Sequence, residues 1–65
     1  MKINVNGTAR DVTGPSLNDV LVELGHGVGR VATAVNETFV PAAARAEYLL
    51  QDGDRVEIVA PRQGG

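Results

Sequence analysis

Cysteine is absent from this chain of 65 residues. Its absence excludes disulfide bonds, thiolate metal ligands, a catalytic thiol and a persulfide carried on a cysteine. Any covalent chemistry must therefore use another group. A chain of this length is one small domain with little room to bury a catalytic cleft, which favours a binding or carrier protein.

Aromatic residues and net charge are also scarce. One Phe, one Tyr and no Trp leave few rings to stack on bases, and a net charge of -2 with interspersed acids and bases provides no basic patch for nucleic acid. No apolar run approaches the ~20 residues needed to cross a bilayer. The opening "MKINVNG" lacks the apolar stretch of a signal peptide. We therefore expect a cytoplasmic protein that binds neither nucleic acid nor membranes.

The first residues predict a β-hairpin. Met1, Ile3 and Val5 alternate with polar residues, as in a strand with one buried face. Asn6-Gly7 is a preferred centre for a tight primed turn, because both residues tolerate positive φ. The segment "TARDV" should then return as the second strand.

A helix is predicted after the breaker Gly14-Pro15, in "SLNDVLVELG". Ser16 and Asp19 have capping-box spacing, and Gly25 is the expected C-terminal stop. The apolar residues of this segment share one helical face: Leu17, Val20, Leu21 and Leu24.

The second half of the chain predicts three more strands. "RVATAVN" is a strand, Asn36-Glu37 a turn, and "TFV" a short strand closed by Pro41. "AAARAEYLL" favours a helical turn or short helix, "QDGD" a turn and "RVEIVA" the closing strand. The order β-β-α-β-β-(short helix)-β predicts an α+β domain with the β-grasp (ubiquitin-like) fold, a mixed sheet of about five strands with one main helix packed on one face. The predicted domain spans 1–60, and residues 61–65 form a flexible C-terminal tail.

Motifs for metal or phosphate binding are weak. "GHGVG" follows a helix instead of leading into one, and it lacks the Lys-Ser/Thr of a P-loop. His26 has no second His or Cys at ligand spacing, and "DGD" has no further oxygen ligands at calcium-loop spacing. We expect no metal site and no bound cofactor.

The later strands contain more apolar residues than can all be assigned to one core. Val31, Val35, Phe39 and Val59 cannot all be placed in it. Either some of them form an exposed apolar patch for a partner, or all are packed beneath loops. The sequence leaves both alternatives open.

The chain ends in "PRQGG". Glycine has no side chain and keeps maximal backbone freedom, so Gly64-Gly65 adds nothing to a core. The tail is therefore either without a role or the working part of the protein.

Three segments, "MKINVNG", "VATAVNETFVP" and "DGDRVEIVAPRQGG", resemble the ThiS family, the sulfur carriers of thiamine biosynthesis. The resemblance covers essentially the whole chain. One departure follows Pro41, where relatives often carry an aromatic residue four positions on and this sequence has Arg45.

The resemblance implies a carrier that is not itself an enzyme. Gly65 would be adenylated by an E1-like adenylyltransferase (ThiF-like) that consumes ATP, and then converted to a thiocarboxylate by a sulfur donor such as a cysteine desulfurase. The sulfur would pass to thiazole synthase (ThiG-like). Gly64 would let the terminus thread narrow channels. Arg62 and Gln63 would contact partners or remain plain solvated residues. On the sheet, the expected partner contacts are Val59, Phe39 and Val35.

Three other functions remain open. The same chemistry could serve another acceptor, such as a molybdopterin precursor. The chain could be a protein modifier conjugated through Gly65 to lysines. It could also be a plain β-grasp interaction module with an inert tail.

Overall fold

Two β-hairpins lie on either side of a central strand in the computed structural model, which describes residues 1–27 and 30–60. The elements are β1 (Lys2–Val5), β2 (Thr8–Asp11), α1 (Leu17–Glu23), β3 (Ala32–Val35), β4 (Thr38–Val40), a 3₁₀ helix (Ala42–Glu47) and β5 (Arg55–Val59). Each lies where the sequence predicts it. The predicted helical turn after Pro41 takes the tighter 3₁₀ form.

The five strands form one mixed sheet in the order β2-β1-β5-β3-β4. β5 runs parallel to β1 and antiparallel to β3, and each hairpin is antiparallel. Val56 of β5 aligns with Val5 on one side and with Val35 on the other. The last strand in sequence is therefore the central strand of the sheet.

Both hairpin turns have two residues at positive φ. Asn6 and Gly7 have φ of 51° and 87°, as a primed two-residue turn requires. Asn36 and Glu37 have φ of 50° and 71°. The second turn thus places a non-glycine residue with a long side chain in the left-handed region.

Helix α1 begins and ends with the predicted caps. Ser16 Oγ accepts a hydrogen bond from the Asp19 amide at 3.0 Å, and the Asp19 carboxylate accepts one from the Ser16 amide at 3.3 Å. At the other end, the Gly25 amide donates to Val22 O at 3.1 Å and the His26 amide donates to Leu21 O at 2.7 Å. These two bonds form a Schellman motif, which turns the chain out of the helix.

The core lies between α1 and one face of the sheet. Within the described part of the chain, its buried apolar residues are Ile3, Val5, Val12, Leu17, Val20, Leu21, Val35, Val40, Leu50, Val56 and Ile58. This arrangement is the predicted β-grasp architecture, with one main helix on one face. The other face of the sheet is not covered by α1. Among the described residues, no helix is long and apolar enough to span a membrane.

The segment after the 3₁₀ helix is tied to the start of α1. The Leu17 amide donates to Tyr48 O at 2.8 Å, and the Leu50 amide donates to Pro15 O at 2.9 Å. Leu50 is buried in the core, whereas its neighbour Leu49 is exposed. The segment therefore closes one end of the core and returns the chain to β5.

Candidate functional site

The C-terminal end of β5 is the place from which the predicted working segment departs. β5 ends at Val59, and Ala60, the last described residue, is exposed. The predicted functional residues Arg62, Gln63, Gly64 and Gly65 lie outside the described residues. The described part of the site is therefore the end of β5 and the sheet face around it.

Phe39 and Val59 form an exposed apolar pair on the sheet face opposite α1. Their exposed fractions are 66% and 62%. Phe39 lies beside Ala34, and Val59 lies beside Ala32. Because alanine side chains are short, a shallow depression of about 160 Å³ lies there, lined also by Glu57. We call this area, Ala32, Ala34, Phe39, Glu57 and Val59, the open-face patch.

Val35 does not belong to the open-face patch, so its prediction as a partner contact is wrong. It is 1% exposed and lies in the core beside Val56. Alternate side chains of a strand point to opposite faces, and β3 turns Thr33 and Val35 inward and Ala32 outward. Val31 is half-buried and packs against the core.

Glu57 was not singled out from the sequence, although strand alternation could have found it. It lies two residues before Val59 on β5 and shares its face. It also borders a second depression of about 230 Å³, which we call the polar depression because most of its lining residues are of polar type: Asn4, Asn6, Gly7, Glu37, Arg55, Val56 and Glu57. Glu57 thus lines both depressions, two residues before the end of β5.

The ion pair beside the polar depression contributes little to stability. Arg55 Nη1 and Glu37 Oε2 are 3.6 Å apart, and both side chains are mostly exposed. Exposed pairs of this kind are typically worth ~0–1 kcal/mol. Arg55 is therefore available to a partner at small cost.

Glu23 lies on α1, away from this site, and its carboxylate is hydrogen-bonded to the backbone. Its carboxylate accepts hydrogen bonds from the amides of Thr13 and Gly14, each at 3.0 Å. These bonds to the charged form lower the pKa of Glu23, although the group is exposed. The role they indicate is to hold the segment before α1.

The residues 1–27 and 30–60 contain no cluster of three or more His, Cys, Asp or Glu side chains arranged to hold a metal ion. His26, the single histidine, is half-buried in the loop after α1. The described part of the site is an exposed apolar sheet face at the end of β5.

Comparisons with known proteins agree with one another. The model of the ThiS family matches residues 3–65. The chain is 39% identical over 61 residues to a protein named sulfur carrier protein ThiS from Thermus thermophilus. The aligned residues cover 94% of this chain and 95% of that relative.

Solved structures are also similar. A crystal structure described as a thiamine biosynthesis protein (ThiS) from Geobacter metallireducens has a TM-score of 0.84 at 26% identity, with all of both chains covered. A solution structure of a thiamine biosynthesis protein from the same organism has a TM-score of 0.79 at 26% identity and covers all of this chain and 88% of the other.

Proposed function

The chain belongs to the ThiS family, and we propose that it is a cytoplasmic sulfur carrier of thiamine biosynthesis that works through a thiocarboxylate on Gly65. The observation that carries the proposal is that the family match extends over residues 3–65 and so includes the Gly64-Gly65 end. The printed name of the Thermus thermophilus relative, a sulfur carrier protein, supports it.

The proposed chemistry begins with activation of the terminal carboxylate. A carboxylate is a poor electrophile because its charge is delocalised. An E1-like adenylyltransferase (ThiF-like) would therefore join a Gly65 carboxylate oxygen to the α-phosphorus of ATP and release pyrophosphate. The resulting acyl adenylate carries a good leaving group.

Sulfur transfer follows in two steps. A sulfur nucleophile, supplied by a donor such as a cysteine desulfurase, attacks the acyl carbon of Gly65, and AMP leaves. Attack by a donor persulfide leaves an acyl disulfide. A thiol reductant then attacks the donor's cysteine sulfur, so that a disulfide forms with that cysteine and Gly65 is released as a thiocarboxylate, which hands its sulfur to thiazole synthase (ThiG-like). The carrier supplies the reacting terminus, and its partners supply the catalytic sites and consume the ATP.

The open-face patch is the proposed docking surface for these partners. Phe39 and Val59 are apolar side chains exposed on the same sheet face, Val59 at the end of β5, and burial of exposed apolar surface favours association. Glu57 adds a carboxylate to the same surface. A partner that covers it must present a basic side chain or a hydrogen-bond donor, because an unpaired buried charge is costly.

Intact-mass measurement tests the function directly. The protein is incubated with ATP, the adenylating enzyme and a sulfide source, in parallel with a variant that lacks Gly64 and Gly65. We expect a mass increase equal to one oxygen replaced by one sulfur in the full chain and none in the truncated variant. No increase with an enzyme shown to be active on another carrier would overturn the proposal.

The acceptor is tested separately. The thiocarboxylated chain is offered to thiazole synthase and, in a matched reaction, to the large subunit of a molybdopterin synthase. We expect sulfur transfer to the first. Transfer only to the second would identify the alternative acceptor, and ATP-dependent adducts of higher mass on lysines of other proteins would identify a protein modifier.

A further inference from the structure

The two hairpin turns carry the same short pattern, Val-Asn-x-Thr, at residues 5–8 and 35–38. Asn6 and Asn36 have nearly the same backbone, with φ of 51° and 50°. Both asparagine side chains bond to β5, but at opposite ends of it. They therefore form a natural pair for comparison.

Asn36 holds the beginning of β5. Its Oδ1 accepts a hydrogen bond from the Arg55 amide at 3.0 Å, and its Nδ2 donates one to Asp54 Oδ1 at 3.0 Å. Its own amide donates to Arg55 O at 2.8 Å. These contacts lie at the end of β5 that is remote from the tail.

Asn6 holds the other end. The backbone pairing of β1 with β5 stops at Val5 and Val56, and the last bond of that edge runs from the Asn6 amide to Val56 O at 2.9 Å. The chain then turns into the hairpin. Ile58 would be left with no β1 residue beside it.

The Asn6 carboxamide replaces the missing backbone. Its Oδ1 accepts a hydrogen bond from the Ile58 amide at 2.8 Å, and its Nδ2 donates one to Ile58 O at 2.9 Å. A side-chain amide presents the same donor and acceptor as a peptide group, so it extends the parallel ladder by one residue. Ile58 is only 7% exposed, and buried backbone groups are seldom left unpaired.

We propose that Asn6 is a positioning residue for the C-terminal tail: by fixing both backbone groups of Ile58 it holds β5 in the sheet up to Val59 and sets the direction in which the chain leaves at Ala60. This role rests on the proposed function, in which Gly65 must reach the site of an activating enzyme. If the end of β5 frayed at Ile58, the free segment before Gly65 would lengthen, and fewer of its conformations would place the terminus in that site. Misplacement of a reacting group by about 1 Å can lower a rate by about 100-fold.

The test compares Asn6→Gly with Asn36→Gly. Each change keeps a residue suited to positive φ, and each removes one side chain that bonds to β5. Two quantities are measured under conditions in which both variants are folded: exchange of the Ile58 amide by NMR, corrected for any change in global stability, and the kcat and KM for adenylation with ATP and the activating enzyme.

We expect Asn6→Gly to speed Ile58 exchange by about tenfold, because local opening at that strand end no longer breaks two side-chain bonds. We expect its kcat to fall by about tenfold while KM changes much less. The proposed docking residue Phe39 and the pairing of Val59 with Ala32 of β3 are left intact by the substitution. Asn36→Gly should leave both the Ile58 exchange and kcat close to the wild-type values.

Two results would overturn the positioning role. Equal exchange rates of the Ile58 amide in the two variants would show that the Asn6 side chain does not hold this end of β5. Faster exchange in Asn6→Gly with an unchanged kcat would show that Asn6 has a purely structural role. A wild-type protein that is never adenylated would instead refute the proposed function itself.

Should Asn6→Gly fail to fold, Asn6→Asp replaces it, with Asn36→Asp as control. Aspartate keeps the oxygen that accepts from the Ile58 amide, but it replaces the Nδ2 donor with a second oxygen, which faces Ile58 O and cannot bond to it. The same contrast in exchange and kcat is expected, and its absence would overturn the proposal.

Discussion

Arg45 Nε donates a hydrogen bond to Thr33 Oγ1 at 3.0 Å, and this contact joins the 3₁₀ helix to β3. Thr33 is buried, and its hydroxyl donates to Val40 O at 2.8 Å. Arg45 Nη2 also donates to Val31 O at 2.6 Å. Arg45 thus acts as a structural link between the 3₁₀ helix and β3.

Removing either partner of this link should destabilise the fold. We expect Arg45→Ala and Thr33→Val each to lower the free energy of unfolding by about 1.5–3 kcal/mol, because hydrogen bonds to a charged group are lost and buried polar atoms are left unpaired. Urea denaturation of both variants and of the double variant measures the coupling. The double variant should lose less than the sum of the two, and strict additivity would contradict the contact. Arg10→Ala, on exposed β2, serves as the control.

Glu37→Gly should stabilise the protein. Glu37 has φ of 71°, in a region that costs a residue with a Cβ about 1–2 kcal/mol. Substitution by glycine removes this cost, but part of the gain in stability is offset by the greater freedom of glycine in the unfolded chain. We expect a net gain of about 0.5–1 kcal/mol, since the exposed Arg55 pair is worth little. The measurement is the urea midpoint.

The matched control is the reverse substitution, Gly7→Glu, at the equivalent position of the first hairpin turn. Nothing lies within 4 Å of a Cβ placed on Gly7, so any loss would come from its φ of 87°. We expect a loss of about 1 kcal/mol. If both substitutions shift stability in the same direction, the backbone explanation is wrong.

Glu23 should make the stability of the fold depend on acid pH. Hydrogen bonds from the amides of Thr13 and Gly14 lower the pKa of Glu23 in the folded state below its unfolded value. Its contribution is therefore fully present above the unfolded pKa and is lost as the pH falls through the folded pKa. Glu23→Gln should be less stable than the wild type at pH 7, and the difference should shrink in acid.

Urea midpoints at neutral and acid pH check this prediction. Glu47→Gln, the same chemical change at an exposed position of the 3₁₀ helix, serves as the control. A stability difference for Glu23→Gln that does not shrink in acid would argue against the role of its charge.

Phe39→Ser and Val59→Ser should weaken activation without unfolding the protein. Both side chains are exposed, and loss of a hot-spot contact costs an interface about 2 kcal/mol or more, which corresponds to a KM increase of about 30-fold or more. Val22→Ser and Leu49→Ser are matched controls, because these side chains are 59% and 65% exposed elsewhere on the molecule. Similar KM values for all four variants would show that the open-face patch is not the docking surface.

Gly64→Ala should impair adenylation far more than folding. The added Cβ narrows the paths that the terminus can take through an enzyme channel, while residues at a chain end contribute little to stability. Steady-state adenylation rates and urea midpoints measured on the same preparation separate the two effects. Normal adenylation of the variant would count against threading.

The hairpins, the limits of α1 and the order of the elements could be predicted from the sequence. Asn6-Gly7, the Ser16–Asp19 capping box and Gly25 act within a few residues of chain, so their patterns are visible in it. The alternation of Val56 and Ile58 likewise identified β5. The Gly64-Gly65 end marked the part of the chain that carries the proposed chemistry.

Tertiary structure decided which apolar residues are exposed on the open face of the sheet and which side chains support the end of β5. Val35 and Val59 look alike in the sequence, but strand register turns the first into the core and the second outward. The bonds of Asn6 to Ile58 and of Arg45 to Thr33 join residues far apart in the chain. Local patterns report on neighbours along the chain, whereas these contacts exist only because folding brings separate elements together.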